Sequence, residues 1–424
     1  MSWLILGGLA LAAAISWGMG FALRRWGPRL GLVDRPGFRK IHSRPMPTAG
    51  GLAIWAGLIL PFLIGTLLTL ALLGEGWTRS AVHPALREGV LAWLPSDAVV
   101  HLPGVQHQAG RLWTILAIGS VLMLLGLADD RWKLDWRFRL AVEFAAAMAT
   151  VASGFRLTMF IDLPWFGTII SVFWIVVLVN AFNMLDNMDG LSAGVAAIAA
   201  SILAAVMLFT PKTTGGESQL FVAGFFLILL GAILGFLWHN YPPARLFMGD
   251  CGSYWIGYLL AVLSMTATFA GEDMPRHAVL APICALAVPL YDFATVVLIR
   301  LRAGRSPFVG DKNHFSHRLV ELGMTPPQAV LTIYLTTVAC GLGALLLHQV
   351  DGFGAAVILM LVICMLCLIA ILEATGRRQL RRRGRENAVL VGSPNTARPT
   401  AEPSSDQAVP HVERDRHNGG RPIT

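Results

Sequence analysis

Charge is what this sequence has least of. Asp, Glu, Lys and Arg together make up 14% of its 424 residues, against about 25% in soluble globular domains. With 55% hydrophobic residues and a mean hydropathy of +0.63, the shortfall argues against a water-soluble fold. Cysteine is scarce too. Cys251, Cys284, Cys340, Cys364 and Cys367 include no metal-type pairing with His, so they read as small packing residues rather than metal ligands. The short alternating segments of a membrane β-barrel are lacking. So is an internal repeat of the kind that builds transporters from related halves. No basic run precedes the first apolar stretch, Trp3 to Leu23, which reads as a spanning helix rather than a cleaved signal.

What is present is a series of long uncharged runs. Eleven apolar segments stand out, at 2–23, 49–73, 112–128, 139–155, 165–182, 190–209, 220–238, 254–270, 278–299, 327–348 and 355–374. The expected fold is all-α, a polytopic transmembrane helical bundle of about eleven spans. Basic residues set its orientation. With the loop 24–48 inside and alternation thereafter, only Arg79, Arg87, Arg111, Arg156, Lys212 and Arg276 of the 33 Lys and Arg fall outside. The N-terminus is thus expected outside and the C-terminus in the cytoplasm. Residues 1–375 form the membrane domain. Residues 376–424 form a tail, first basic (RRQLRRRGRE) and suited to anionic lipid, then disordered. The net charge of +8 is accounted for by the membrane surface, with no nucleic acid implied. The outside loop 74–110 holds His83, His101 and His107 at no ligand spacing, and they read as solvated.

Each inside loop carries a polar cluster. The first, DRPGFRKIHSRPMPTAGG from Asp34 to Gly51, joins Pro and Gly turns to the charges of Arg39, Lys40, His42 and Arg44. Its punctuation marks a shaped loop, where a merely topogenic loop needs only charge. The second opens with Asp129 and Asp130. Two adjacent carboxylates at a membrane edge need a cation or a base to compensate them. Helix capping explains one of them. Arg131, Lys133, Arg137 and Arg139 follow and suit phosphate oxygens.

The third cluster is NAFNMLDNMDGLSAG, residues 180–194. If helical, its Asn180, Asn183 and Asn187 share a face, and an Asn carbonyl can coordinate Mg²⁺ or a base edge. Its GLSAG also matches the nucleophile-elbow pattern. That elbow needs a strand, a strained turn and a helix, whereas this Ser lies between two membrane segments. Close helix packing explains Gly190, Ser192 and Gly194 better. The fourth loop, HNYPPARLFMGDCGS, isolates Asp250 between Gly249 and Cys251-Gly252. One carboxylate with room beside it suits Mg²⁺, which uses few protein ligands; the plain alternative is an Asx-turn. The fifth loop offers Arg300, Arg302, Arg305, Lys312, His314, His317 and Arg318. No further ligand joins the two His at zinc spacing, so anion binding fits better. Acids and amides in three loops, bases in the others, all on one side: this is the layout for Mg²⁺-assisted phosphoryl chemistry on an anionic, nucleotide-like donor.

In order and in sequence these five loops resemble the polyprenyl-phosphate N-acetylhexosamine-1-phosphate transferases of glycosyltransferase family 4, over roughly residues 1–375. DRPGFRKIHSRPMPTAGG and GRSPFVGDKNHFSHRL look like the WecA/TagO branch. The second lacks the three consecutive His usual in MraY, the phospho-MurNAc-pentapeptide transferase that is the alternative reading. The resemblance implies transfer of a sugar 1-phosphate, GlcNAc-1-phosphate first among N-acetylhexosamines, from a UDP-sugar to undecaprenyl phosphate with release of UMP. It implies Mg²⁺, with Mn²⁺ as a substitute, and an active site on the cytoplasmic face of a bacterial inner membrane. Homodimer formation is left open. It further implies a metal site at Asn183 and Asp250. Asp129, Asp130, Asp189, His314 and His317 would be catalytic. Arg39, Lys40, His42, Asn180, Asp186, Arg302, Arg305 and Arg318 would bind substrate. Three positions depart from the family pattern: Asn187 stands where Gly is usual, Ser316 where His is, and Arg139 where Lys is frequent. A transporter is the alternative from another class, distinguished by charges near the bilayer midplane.

Overall fold

A computed structural model describes residues 2–34, 45–73, 83–94, 96–157, 163–209, 218–267 and 275–392. Helix α1 (Ser2–Trp26) leads to a two-residue hairpin, β1 (Val33–Asp34) and β2 (Met46–Pro47). Then come α2 (Gly50–Leu73), α3 (Pro84–Trp93), α4 (Ser96–Trp132), α5 (Trp136–Ala152), α6 (Pro164–Leu185) and α7 (Leu191–Phe209). The order continues with α8 (Ser218–Asn240), α9 (Gly249–Thr266), α10 (Ala281–Ala285), α11 (Ala287–Arg302), α12 (Phe315–Glu321), α13 (Pro326–Leu346) and α14 (Gly352–Gly392).

Eight of these helices, among the described residues, are long and apolar enough to cross a membrane: α1, α2, α4, α6, α7, α8, α13 and α14. A ninth candidate joins the helical stretch Arg276–Ala285, which ends in α10, to α11, bent by 68° at Leu286. Helix α5 has 17 residues, and α9 has 18 with Asp250 in its first turn. Within the described residues all eleven expected apolar segments fall largely on helices, but 278–299 is not straight. Pro289 sits in the first turn of α11, where its missing N–H and its ring prevent continuation from α10 but suit a helix start.

One further stretch departs from expectation, and another gains a secondary structure that its sequence left open. Much of the loop expected at 74–110 is helical: α3 occupies part of it, and α4 begins at Ser96. At 1.5 Å per residue, the 37 residues of α4 reach about 55 Å, well beyond a hydrocarbon core of about 30 Å. The basic stretch after Arg377 is also helical, as the end of α14, while the segment expected to be disordered beyond it lies outside the described residues. The chain divides into two units, Met1–Thr375 and Gly376–Thr424.

Helix α9 is the centre of the first unit. Every residue from Cys251 to Met265 is buried, as expected of a helix apolar all round. It packs against α4, α6 and α2. Helix α1 lies on α8 and α2, while α7, rich in Ala, lies between α8 and α13. Phe173, Trp165 and Leu361 are among many large apolar side chains left exposed, which suits a lipid surround. Helix α9 is surrounded by protein along nearly its whole length, and its first turn carries Asp250.

Candidate active site

The strands of the hairpin bring the first loop to the start of α9. Gly50 N–H donates to the Phe247 carbonyl at 2.9 Å, Gly51 N–H to Met248 at 2.9 Å and Phe247 N–H to Pro47 at 2.8 Å. Gly249 makes the turn into α9 with φ of +73°, in the left-handed region that favours glycine. A Cβ there would lie 2.4 Å from the Thr48 carbonyl and 2.5 Å from an Asp130 carboxylate oxygen. Glycine thus lets this backbone lie directly against Thr48 and Asp130.

Around this turn lies a cavity of about 610 Å³. Asp34 and Met46 of the hairpin line it, with Asp130 and Lys133 from the end of α4 and Asp186 to Asp189 from the turn after α6. Asn240, Gly249 and Asp250 line it from the α8–α9 connection, and His317 from α12. All five polar loops therefore meet at one cavity. The start of α13 adds Pro326, Pro327 and Val330, residues with no chemical signal in the sequence. Asn240 and Asp34 stand in loops the sequence marks, yet their contribution depends on the fold. Asn240 Oδ1 accepts from Gly190 N–H at 2.9 Å, and Asp189 Oδ2 accepts from Ala244 N–H at 2.9 Å. These two bonds lock the Asp186–Gly190 turn to the α8–α9 connection.

The adjacent acids of α4 have different surroundings. Asp130 Oδ1 and Oδ2 accept from the N–H groups of Asp250 and Cys251 at 3.2 and 3.4 Å. Asp130 thus caps α9 from a different helix, where the exposed N-terminal amides favour an anion. Asp129 is buried and turned from the cavity lining. Its Oδ2 meets Arg139 at 2.5 Å and its Oδ1 accepts from Leu134 N–H at 2.7 Å. Arg139 also stands 4.0 Å from Asp250, so this Arg compensates two acids. Lys133 follows with φ of 52°, alone among the described non-glycine residues in having a positive φ, a backbone state that costs about 1–2 kcal/mol. Its strain ends α4 and leaves the lysine on the cavity.

Asn183 donates from Nδ2 to Asp250 Oδ1 at 2.7 Å and to Ser253 Oγ at 3.1 Å. The Asp129 and Asp250 carboxylates flank one guanidinium, 2.5 and 4.0 Å from Arg139 Nη1. Two carboxyls so close repel unless a proton or cation compensates them. Burial, then the nearby Asp250 and Asp189 carboxylates, push the Asp186 carboxyl up to about 8. Among the described residues no three His, Cys, Asp or Glu side chains already form a metal cluster. Asp250 lines open space with Asp130, Asp186 and Asp189, and the Asn183 amide is bonded to it from behind the lining; carboxylates with an amide beside them are nevertheless the donor chemistry of Mg²⁺, which keeps several waters and substrate oxygens in its shell. The residues present fit that ion.

Several expected substrate contacts lie elsewhere. Asn180 does share a helix with Asn183, but it donates to Glu143 and, at 2.9 Å, to the Val176 carbonyl. Helix α6 ends at Leu185, so Asn187 lies beyond the face it was expected to share. In the segment from His314 to Arg318 only His317 lines the cavity. His314 Nδ1 pairs with the buried Asp292 at 3.0 Å, and Phe315 N–H donates to the same carboxylate at 2.6 Å. Arg318 is buried, with Glu373 at 3.0 Å, the Asn313 carbonyl at 2.6 Å and Thr295 at 3.1 Å. Its guanidinium serves the bundle and not an anionic ligand. Arg302 and Arg305 are exposed and do not line the cavity; Arg302 closes the last turn of α11, where a cation suits the helix end. Arg39, Lys40 and His42 fall outside the described residues. Burial, then the charges of His314 and Lys312, pull His317 down to about 4, so its imidazole is neutral at pH 7. Ser192 is buried on α7 beneath the Phe182 carbonyl at 3.3 Å. A Cβ at Gly194 would meet the Tyr334 hydroxyl at 2.0 Å. GLSAG is packing.

A family profile described as "Glycosyl transferase family 4" matches residues 112–268, a span running from α4 through α9. A "Decaprenyl-phosphate N-acetylglucosaminephosphotransferase" of Mycobacterium tuberculosis (strain CDC 1551 / Oshkosh) is 32% identical over 355 residues, covering 78% of this chain and 80% of that protein. A "Probable undecaprenyl-phosphate N-acetylglucosaminyl 1-phosphate transferase" of Bacillus subtilis (strain 168) is 28% identical, covering 84% and 87%. The "Undecaprenyl-phosphate alpha-N-acetylglucosaminyl 1-phosphate transferase" of Escherichia coli (strain K12) is 26% identical, covering 74% and 76%. With a relative 32% identical over 78% of the chain and eight helices fit to cross a membrane among the described residues, this chain is a multi-pass membrane transferase belonging to glycosyl transferase family 4.

Proposed function

We propose that this chain transfers GlcNAc-1-phosphate from UDP-GlcNAc to undecaprenyl phosphate, releasing UMP and starting a lipid-linked envelope glycan. The observation that carries the reading is the meeting of Asp130, Asp186, Asp189 and Asp250 with Lys133 and His317 around one cavity. The names of the relatives support the sugar and the polyprenyl acceptor. The excess of basic residues on one side supports a site at the cytoplasmic face of a bacterial inner membrane. A transporter is disfavoured by depth. The acids of the cavity occupy helix ends and turns: the end of α4, the turn after α6 and the start of α9.

An oxygen of the lipid phosphate attacks the β-phosphorus of the UDP-sugar. A new P–O bond forms, the bond to the bridging oxygen breaks, and UMP leaves with the bonding electrons. Asp250 and Asn183, with Asp186 beside them, are the residues to hold Mg²⁺. When bound, that ion neutralises charge on the pyrophosphate and on the leaving group. Lys133 gives a second positive charge at the cavity. Neutral His317 offers an N–H donor to phosphate or sugar oxygens. The acceptor needs little help from a base, since a phosphate monoester has its second pKa near 6. Asp129 accordingly acts by holding Arg139, and Asp130 by capping the helix that presents Asp250.

Product analysis tests this reading. Purified protein, Mg²⁺, undecaprenyl phosphate and a panel of UDP-sugars should yield UMP and a lipid-linked sugar with UDP-GlcNAc. Release only with another UDP-sugar overturns the donor, and no release with any donor overturns the function.

A further inference from the structure

Two of the three positions that depart from the family pattern touch each other. Ser316 Oγ donates to Asn187 Oδ1 at 2.5 Å, across 129 positions of chain. Asn187 Nδ2 in turn donates to the Met184 carbonyl at 2.9 Å, in the last turn of α6. The two bonds fix both ends of the Asn187 amide, so its orientation is determined rather than free. Ser316 is 1% exposed, and a hydroxyl in such a place needs a partner. Asn187 itself lines the cavity.

The neighbours of this pair show what it holds. Asp186 precedes Asn187, and His317 follows Ser316; both line the cavity. One acidic wall and one imidazole wall are thus tied together next to the side chains that face the ligand. The remainder of the His314 segment is fastened to the bundle and not to the acidic turn: His314 to Asp292, Arg318 to Glu373. Among the described residues of that segment, Ser316 is the one whose side-chain bond reaches across to the Asp186–Gly190 turn.

We propose that Ser316 and Asn187 are a positioning pair that sets the gap between the Asp186–Asp189 turn and His317, and thereby how tightly the cavity holds a nucleoside diphosphate sugar. This rests on the function proposed above. Neither side chain takes part in the chemical step. Loss of the tie widens or loosens the donor site while leaving the metal residues Asn183 and Asp250 in their own hydrogen bond.

The test is a double-mutant cycle on the full-length protein in detergent, read as UMP release at saturating Mg²⁺ and lipid phosphate. Ser316→Ala should raise KM for UDP-GlcNAc about three- to tenfold, the worth of one net hydrogen bond, with kcat within about twofold. Asn187→Ala should do the same, and the double variant should be no worse than either single one. Ser316→Thr keeps the hydroxyl and should stay closer to wild type than Ser316→Ala; it also serves if the alanine variant fails to fold. The dependence on Mg²⁺ concentration should be unchanged throughout. Wild-type release with an unaltered KM in Ser316→Ala overturns this inference alone, as do single effects that multiply in the double variant. Wild-type protein inactive with every UDP-sugar overturns the functional reading, and this inference with it.

Discussion

Two histidines three residues apart end in opposite situations. His314 is buried against Asp292, which is fully buried itself, while His317 lines the cavity as a neutral ring. Removing the first leaves a buried carboxylate short of a partner, at a cost of about 1–3 kcal/mol. His314→Ala should therefore lower the melting temperature clearly, whereas His317→Ala should leave it nearly unchanged and reduce UMP release. Melting curves and turnover on the same preparations separate the two. The charges of this turn also predict a pH profile. Asp186, up to about 8 from its ordinary 3.8, binds its proton more tightly folded than unfolded, so its contribution is full at low pH and is lost as pH rises through 8. His317, down to about 4 from 6.5, has the opposite sign: its contribution is full above pH 6.5 and is lost as pH falls through 4. Protein stripped of divalent ions should melt lower above pH 8 than at pH 6.5, and Asp186→Asn should flatten that alkaline loss. Added Mg²⁺ should recover more stability on the alkaline side, since it binds the carboxylate form.

Helices were the most legible level of this chain, because long uncharged runs leave few other solutions in a bilayer. Their ends were less legible. Residues 96–110 contain Asp97, His101, Pro103, Gln106 and His107, polar enough to read as loop, yet they extend α4 without needing an apolar stripe of their own. Asn187 was misplaced for the converse reason. Spacing put it on the Asn180 face, but α6 stops at Leu185, and the chain turns so that Asp186 and Asp189 can reach the cavity. Helix contacts are set by small residues whose purpose only packing reveals. Gly126 of α4 is one. A Cβ there would come 2.4 Å from the Asp250 carbonyl carbon and oxygen, so α4 can approach the start of α9 only with glycine at this point. Gly126→Ala should displace the turn that presents Asp250, costing about 1–3 kcal/mol of stability and most of the turnover. Gly65→Ala in α2 is the matched control. Nothing lies within 4 Å of its added Cβ, so helix propensity alone should make it neutral or stabilising by up to about 1 kcal/mol. Thermal unfolding in detergent decides both; equal losses at the two glycines would contradict the α4–α9 contact.

At the scale of the molecule, chemistry and topology have a common origin. Charge is rare in this chain, and where acids occur in number they stand at helix ends and turns that the fold draws to one cavity. Composition could reveal that gathering because polar residues in a bilayer protein have few places to go. It could not reveal the division of labour within the gathering. Asp129 and Asp130 are adjacent, yet one neutralises Arg139 and the other caps α9; Arg318 sits in a basic loop, yet pairs with Glu373 on α14. Those outcomes depend on which helices meet. The sidedness of the cavity depends instead on the basic residues, and it can be tested directly. In a background lacking the five native cysteines, Arg305→Cys should react with a membrane-impermeant thiol reagent only when the cytoplasmic face is open to it. Val100→Cys, 72% exposed near the start of α4, should react from the outer face. Labelling of intact cells and of inverted vesicles distinguishes the two. The reverse pattern would put the acids on the outer surface, away from a cytoplasmic nucleotide donor, and the proposed reaction could not be supplied there.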